Sequence, residues 1–209
     1  MKCVPMIFNR EMVCALLEGR KTVTRRPVKP APPEWCKEFG YTTFTPERHI
    51  SGRGRYEDQG PAEKFIKQPI FKGDLVWVRE TFGDCGVRYV YKADSDDGAS
   101  CMIKKWTPSI HMPRWANRLV LKVTDVRIER VQEITDDQAE KEGMMTSEAS
   151  QKKAIECGLS WFERPAVQFK NLWRRIYGDW ESNPYVWVIE FEVVNQNIDE
   201  YLNGVTASV

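Results

Sequence analysis

The run from Leu119 to Val131 constrains the fold most, because it is the longest strand pattern in the 209-residue chain and changes phase in its middle. Leu119, Leu121 and Val123 share one side of an extended chain, while Val126 and Ile128 share the other. A phase change at Thr124 and Asp125 predicts a bulge or a strong bend, the device by which a sheet turns a corner and closes toward a barrel. Leu75 to Val78, following the turn signal Gly73-Asp74, is apolar on both faces. That pattern predicts a strand covered on both sides. Val87 to Tyr91 reads as a further short strand after the 83–86 loop.

Helices are marked by their ends. Asn9 is placed to cap a helix running to Glu18, with Glu11 in the first turn and Met12, Val13, Leu16 and Leu17 on an apolar face; Gly19 is the expected terminator. Thr135 and Gln138 form a capping-box pattern that opens a second helix, from Ile134 to Met144, and Gly143 stops it. Glu142 falls in the last turn, where the negative end of the helix dipole opposes ionisation, a setting that suits a general acid. From Pro165 to Tyr177, Phe169, Leu172, Trp173 and Ile176 make an apolar stripe, Pro165 fits the first helical position and Gly178 the position after the end. The 195–209 tail has little apolar pattern beyond Ile198 and Leu202.

Chemistry concentrates just after the first helix. Arg20, Lys21, Arg25, Arg26 and Lys29 are cationic, and no acidic residue lies between Gly19 and Pro33. Such a cluster can hold a phosphate or act chemically; a solvated basic turn is the alternative. From Thr22 the β-branched residues favour a strand in which Lys21 and Val23 point one way and Thr22 and Thr24 the other. Lys21 and Thr24 therefore share a site only if the chain bends near Lys21. The stretch from Pro27 to Pro69, punctuated by seven prolines, reads as an insertion with a mobile Ser51-Gly52-Arg53-Gly54-Arg55 segment. Its cations and aromatics suit a flap over single-stranded RNA, or an ordinary surface loop. The proline-bound loop carrying Trp106, His111, Arg114 and Trp115 is a candidate pocket wall or a packed loop.

With 31 basic and 30 acidic residues the net charge is +1, so any nucleic-acid surface must be a local patch. Six cysteines show no C-x-x-C pair, and only His49 and His111 could join them as ligands, so no metal or cofactor is expected. They read as reduced thiols. No secretory pattern and no membrane-length apolar stretch is seen, which points to a cytoplasmic protein without a membrane partner.

The form Gly19-x-Lys21-x-x-Thr24-x-Arg26 resembles the signature of the ASCH domain, a PUA-like β-barrel family thought to bind RNA, in which the sixth position is often Glu or Thr. Pro5-Met6-Ile7-Phe8, Lys72 to Val78 and Trp187 to Phe191 are similar to that family's core strands. The resemblance implies an α+β, PUA-like mixed β-barrel over 1–194, with flanking helices, insertions at about 27–69 and 145–179, and a tail. Thr135, Ala139, Glu140 and Glu142 match the form Thr-x-x-x-Ala-Glu-x-Glu of small bacterial ASCH amidohydrolases that act on N4-acetylcytidine. Their roles, carried over by motif position, make Lys21 the proton acceptor, Thr24 the nucleophile and Glu142 the proton donor. Arg20, Arg25 and Arg26, with Trp106, His111, Arg114 and Trp115, are then the candidate ligand-binding residues. The chain is longer than those enzymes and looks like ASCH proteins of bacteriophages and prophages. The expected partner is RNA or a modified nucleoside, with a non-catalytic binder or a phage–host interaction module as the alternatives.

Overall fold

The computed structural model describes residues 1–56, 60–86, 88–94, 103 and 105–206. The chain begins with β1 (Cys3–Ile7), α1 (Arg10–Leu17) and β2 (Val23–Pro27). Three strands follow, β3 (Cys36–Gly40), β4 (His49–Tyr56) and β5 (Gly60–Lys67), and then β6 (Leu75–Arg79). Next come the short strands β7 (Phe82–Asp84), β8 (Tyr89–Tyr91) and β9 (Trp106–Thr107), and the long β10 (Val120–Arg130). The last part holds α2 (Asp136–Lys141), α3 (Ser147–Glu156), α4 (Pro165–Tyr177), β11 (Tyr185–Val194) and α5 (Ile198–Thr206).

The fold is α+β. Its main sheet has the order β1-β6-β10-β11-β2, parallel at β1–β6 and antiparallel elsewhere. The outer strands β1 and β2 do not pair with each other, so no barrel is closed among the described residues. One face of this sheet, with Val76, Val78, Leu121, Trp187, Ile189 and Phe191, joins Phe8, Val13 and Leu16 from the β1–α1 segment and Ile50 and Ile66 from β4 and β5 in the principal core. The opposite face, with Val23, Val186 and Val188, is covered by Ala139 of α2 and Phe169 and Trp173 of α4. β6 is apolar on both faces because Val76 and Val78 enter the principal core while Leu75 and Trp77 meet Ile198 of α5.

The β10–β11 register shifts between Val123 and Asp125, at the predicted phase change. The extra residue reverses the side-chain alternation, so that Val126 and Ile128 pack against the same core as Leu121 and Val123.

Two expectations are corrected and one is sharpened. The Ser51-Gly52-Arg53-Gly54-Arg55 segment of the 27–69 insertion is not a mobile loop but part of β4: β3, β4 and β5 form an antiparallel sheet, in which Gly52 and Gly54 stand at close approaches. A Cβ on Gly54 would stand 1.6 Å from the Trp35 carbonyl oxygen, and one on Gly52 would stand 2.7 Å from Cys36 Sγ. The weakly patterned tail is helical, since residues 198–206 form α5, and the apolar residues Ile198 and Leu202 are among those that pack, Ile198 fully buried. Cys3, Cys14, Cys36 and Cys157 are free thiols as expected, but Cys85 is disulfide-bonded. Val87, at the head of the expected 87–91 strand, and Cys101 lie outside the described residues; β8 begins at Tyr89.

Candidate functional site

The site is assembled where the ends of two helices meet the start of β2. α1 is capped by Asn9, whose side chain accepts from the Met12 N–H, and passes into Gly19 at φ 71°. This reversal lets Lys21 N–H bond back to the Ala15 carbonyl at 3.0 Å, and the next N–H, of Thr22, reaches the Lys141 carbonyl at the end of α2 at 2.9 Å. α2 has the predicted capping box between Thr135 and Gln138, with Glu142 as its C-terminal cap. Gly143 follows at φ 96°, and its missing side chain is what allows the approach: a Cβ there would lie 2.8 Å from Ala15 Cβ and 3.4 Å from Lys21 Cβ.

Glu142 is thereby set against Lys21. Lys21 Nζ donates to Glu142 Oε2 at 2.6 Å, to the Glu142 carbonyl at 2.8 Å and to the Val23 carbonyl at 2.8 Å, which uses all three of its protons. Arg25 Nη1 approaches Glu142 Oε1 at 3.4 Å, while its Nη2 donates to Gln138 Oε1 at 2.9 Å and Glu129 Oε2 at 3.1 Å. Lys21 is 0% exposed, Thr24 and Glu142 2%, and Arg25 3%. Burial pulls the Lys21 ammonium down from its ordinary pKa; the Glu142 charge and hydrogen bond oppose this, and Arg26 and Arg25 add to it.

Alternation along β2 divides the remaining groups. Arg25 pairs with Val188 and belongs to the face covered by α2 and α4, whereas Thr24 and Arg26 pair with Ile189 and Trp187 on the principal-core face. At the free edge of β2 both faces border a small cavity of about 20 Å³, room for roughly one water molecule. Thr24, Arg25, Arg26 and Glu142 form its polar side, and Phe169, Leu172, Trp173, Ile176 and Tyr177 of α4 cover it. Arg26 donates from Nη2 to the Ile7 carbonyl at 2.7 Å and from Nη1 to the Tyr177 hydroxyl at 3.3 Å, linking the two sheet edges. The Nε atoms of Arg25 and Arg26 are buried without a hydrogen-bond partner among the described residues.

Lys21, Thr24, Arg25, Arg26 and Glu142 thus come together, although Glu142 is 121 residues from Lys21. Arg20 stands outside the cavity, donating to the Gly143 carbonyl at 2.8 Å and pairing with Glu18. The loop with Trp106, His111, Arg114 and Trp115 does not line the cavity. Trp106 is fixed in β9 against Gly83 of β7, Trp115 packs against Tyr89 with ring centroids 4.9 Å apart, Arg114 pairs with Asp199 of α5 at 2.8 Å, and His111 is exposed on a separate turn. The short sheet and α5 claim that loop, which corrects its assignment to the motif cleft. Glu129, Gln138 and Tyr177 were missed in the sequence. Gln138 alone carried a signal, its place in the capping box; its Oε1 accepts from both Thr135 N–H and Arg25.

Among the described residues no group of three or more His, Cys, Asp or Glu is placed to hold a metal ion, and no helix is long and apolar enough to cross a membrane. No protein-family model, no curated protein and no solved structure matches the chain.

Proposed function

We propose that this chain is an ASCH-type, PUA-like protein that recognises a modified nucleoside or RNA and hydrolyses the amide of an N4-acylated cytidine, with Lys21, Thr24 and Glu142 as the reacting groups. The observation that carries this reading is the contact of a fully buried ammonium with a buried carboxylate at 2.6 Å, where the carboxylate residue borders the same small cavity as buried Thr24. A proton passed from Lys21 Nζ to Glu142 Oε2 along their hydrogen bond leaves an amine to act as base and a carboxylic acid to act as proton donor. The amine takes the Thr24 hydroxyl proton as Oγ1 adds to the acyl carbonyl, and the acid gives its proton to the departing exocyclic amine of cytidine. The acyl group remains as an ester on Thr24. Water then adds to that ester; Glu142 takes its proton, Lys21 returns one to Oγ1, and the acyl group leaves as a carboxylic acid. Arg25 and Arg26 are the cations available to the oxyanion.

Because the cavity holds roughly one water, a base reaches Thr24 only when α4 shifts away from β2. That closure, with the Lys21 protons all used inside the chain, favours a second reading. In it the protein binds without turnover: the buried pair ties α2 to β2, and recognition falls on Arg26.

The test is release of cytidine from N4-acetylcytidine, followed by chromatography, for wild type, Lys21→Ala and Thr24→Ala. Release by wild type that disappears in Thr24→Ala, with its thermal transition retained, supports hydrolysis. No release by wild type removes the hydrolytic reading in favour of the binding one.

A further inference from the structure

Where the unpaired edges of β1 and β2 face one another, the surface opens into a cleft of about 530 Å³. The pairing pattern makes these edges antiparallel, so Lys2, just before β1, and Lys29, just after β2, stand at the same end. Lys67 at the end of β5 and Arg26 of β2 complete a lining that contains four cations and no acid. No ion pair joins Lys2, Lys29 or Lys67 to a described acid. Asp74, which accepts from the Lys2 backbone N–H at 2.8 Å, has its charge matched by Arg48 at 2.5 Å. Among the described residues Arg26 donates to a carbonyl and a phenol, and its Nε has no partner.

Concentrated, unneutralised positive charge in a concave site favours an anionic ligand. The strand edges decide which kind. Pro5 interrupts the free edge of β1 and Pro27 ends β2, each without an N–H, so neither edge presents a continuous ladder to an added peptide strand. Their apolar rings, with Trp187 beneath, offer surfaces for the flat faces of bases without a hydrogen-bonding code. The volume lies in the range that holds a nucleotide-sized ligand.

We propose that this cleft holds the phosphates of a single nucleic-acid strand, with Lys2, Arg26, Lys29 and Lys67 as their counterions. Arg26 also borders the Thr24 cavity, so the strand passes beside the motif. The proposal does not depend on hydrolysis at Thr24.

The experiment is fluorescence anisotropy of a labelled single-stranded oligouridylate titrated with the full chain at several salt concentrations. Wild type is compared with Lys29→Ala/Lys67→Ala, and with Lys152→Ala/Lys153→Ala on α3 as a remote control of equal charge. Each phosphate contact on a single strand contributes about 0.7 to the slope of log K against log salt. The cleft pair is expected to lower the slope by about 1.4 and to weaken binding, while the control pair leaves both unchanged. Failure of wild type to bind, equal slopes for wild type and the cleft pair, an equal fall in the control pair, or equally strong competition by polyglutamate each overturns the proposal. Binding is read without turnover. Wild type that binds with the cleft-dependent slope but releases no cytidine keeps the cleft and loses the hydrolytic reading, and the converse result loses the cleft.

Discussion

Lys21 has its Nζ–H groups held by one carboxylate oxygen and two carbonyls, and its ammonium has no exposure to water. Removing one partner of a buried pair strands the other charge, so Lys21→Met is expected to destabilise the fold by about 3–5 kcal/mol, read from a urea transition. The same group sets a pH dependence. Its folded pKa lies below the ordinary 10.5, so between that lowered value and 10.5 the unfolded chain binds a proton that the folded chain does not. The unfolding free energy should therefore rise with pH across that window, and Lys21→Met should lack the rise. Asp74 has the opposite sign. Burial pushes its carboxyl up, but the Arg48 hydrogen bond and the Lys2 and Phe71 N–H groups outweigh this and hold it below its usual 3.8. Its contribution is complete above 3.8 and lost as pH falls through the folded value. Asp74→Ala should cost about 2 kcal/mol at neutral pH and flatten that acid limb, as measured by denaturation across pH.

At the scale of elements, the helices were the most legible parts. α4 runs from Pro165 to Tyr177 with Gly178 in the left-handed region, and α2 is opened by its capping box and followed by Gly143, because local capping chemistry decides where a helix starts and stops. The sheet of β3, β4 and β5 was illegible because its glycines and prolines are local turn signals, and the reason for glycine at 54 is a carbonyl from a neighbouring segment. Gly54→Ala should accordingly cost about 3 kcal/mol, because backbone must move to admit the methyl group. A urea transition unchanged by Gly54→Ala would contradict this packing.

At the scale of the whole molecule, the five-stranded main sheet is open and carries different layers on its two faces, and α5 covers Leu75 and Trp77 of β6. Ile198, with Tyr201 and Leu202 partly buried, shields Leu75, Trp77 and Val120. Ending the chain after Asn197 exposes that cluster and should lower stability by about 4 kcal/mol, at roughly 1.5–3 kcal/mol per covered apolar side chain. The expected result is an earlier urea midpoint with binding of a hydrophobic dye. α4 has a different place: it closes the cavity beside Thr24 and covers the β2–β11 face, so access to the motif and stability of that layer are properties of one helix.

Sequence by itself determined what depends on neighbours along the chain: the caps of α1 and α2, the limits of α4, the bulge in β10, and the cation-rich turn that holds Lys21 and Arg26. Tertiary structure decided what depends on distant segments. It set Glu142 on Lys21 through the close approach that Gly143 allows, brought Glu129 and Gln138 to Arg25, and took Trp106, His111, Arg114 and Trp115 to the β7–β8–β9 sheet and α5. It also left β1 and β2 unpaired with Lys2, Lys29 and Lys67 around the gap. Capping and alternation act over a few residues and are written in local order, whereas burial and ion pairing act through space and arise only when the chain has closed on itself.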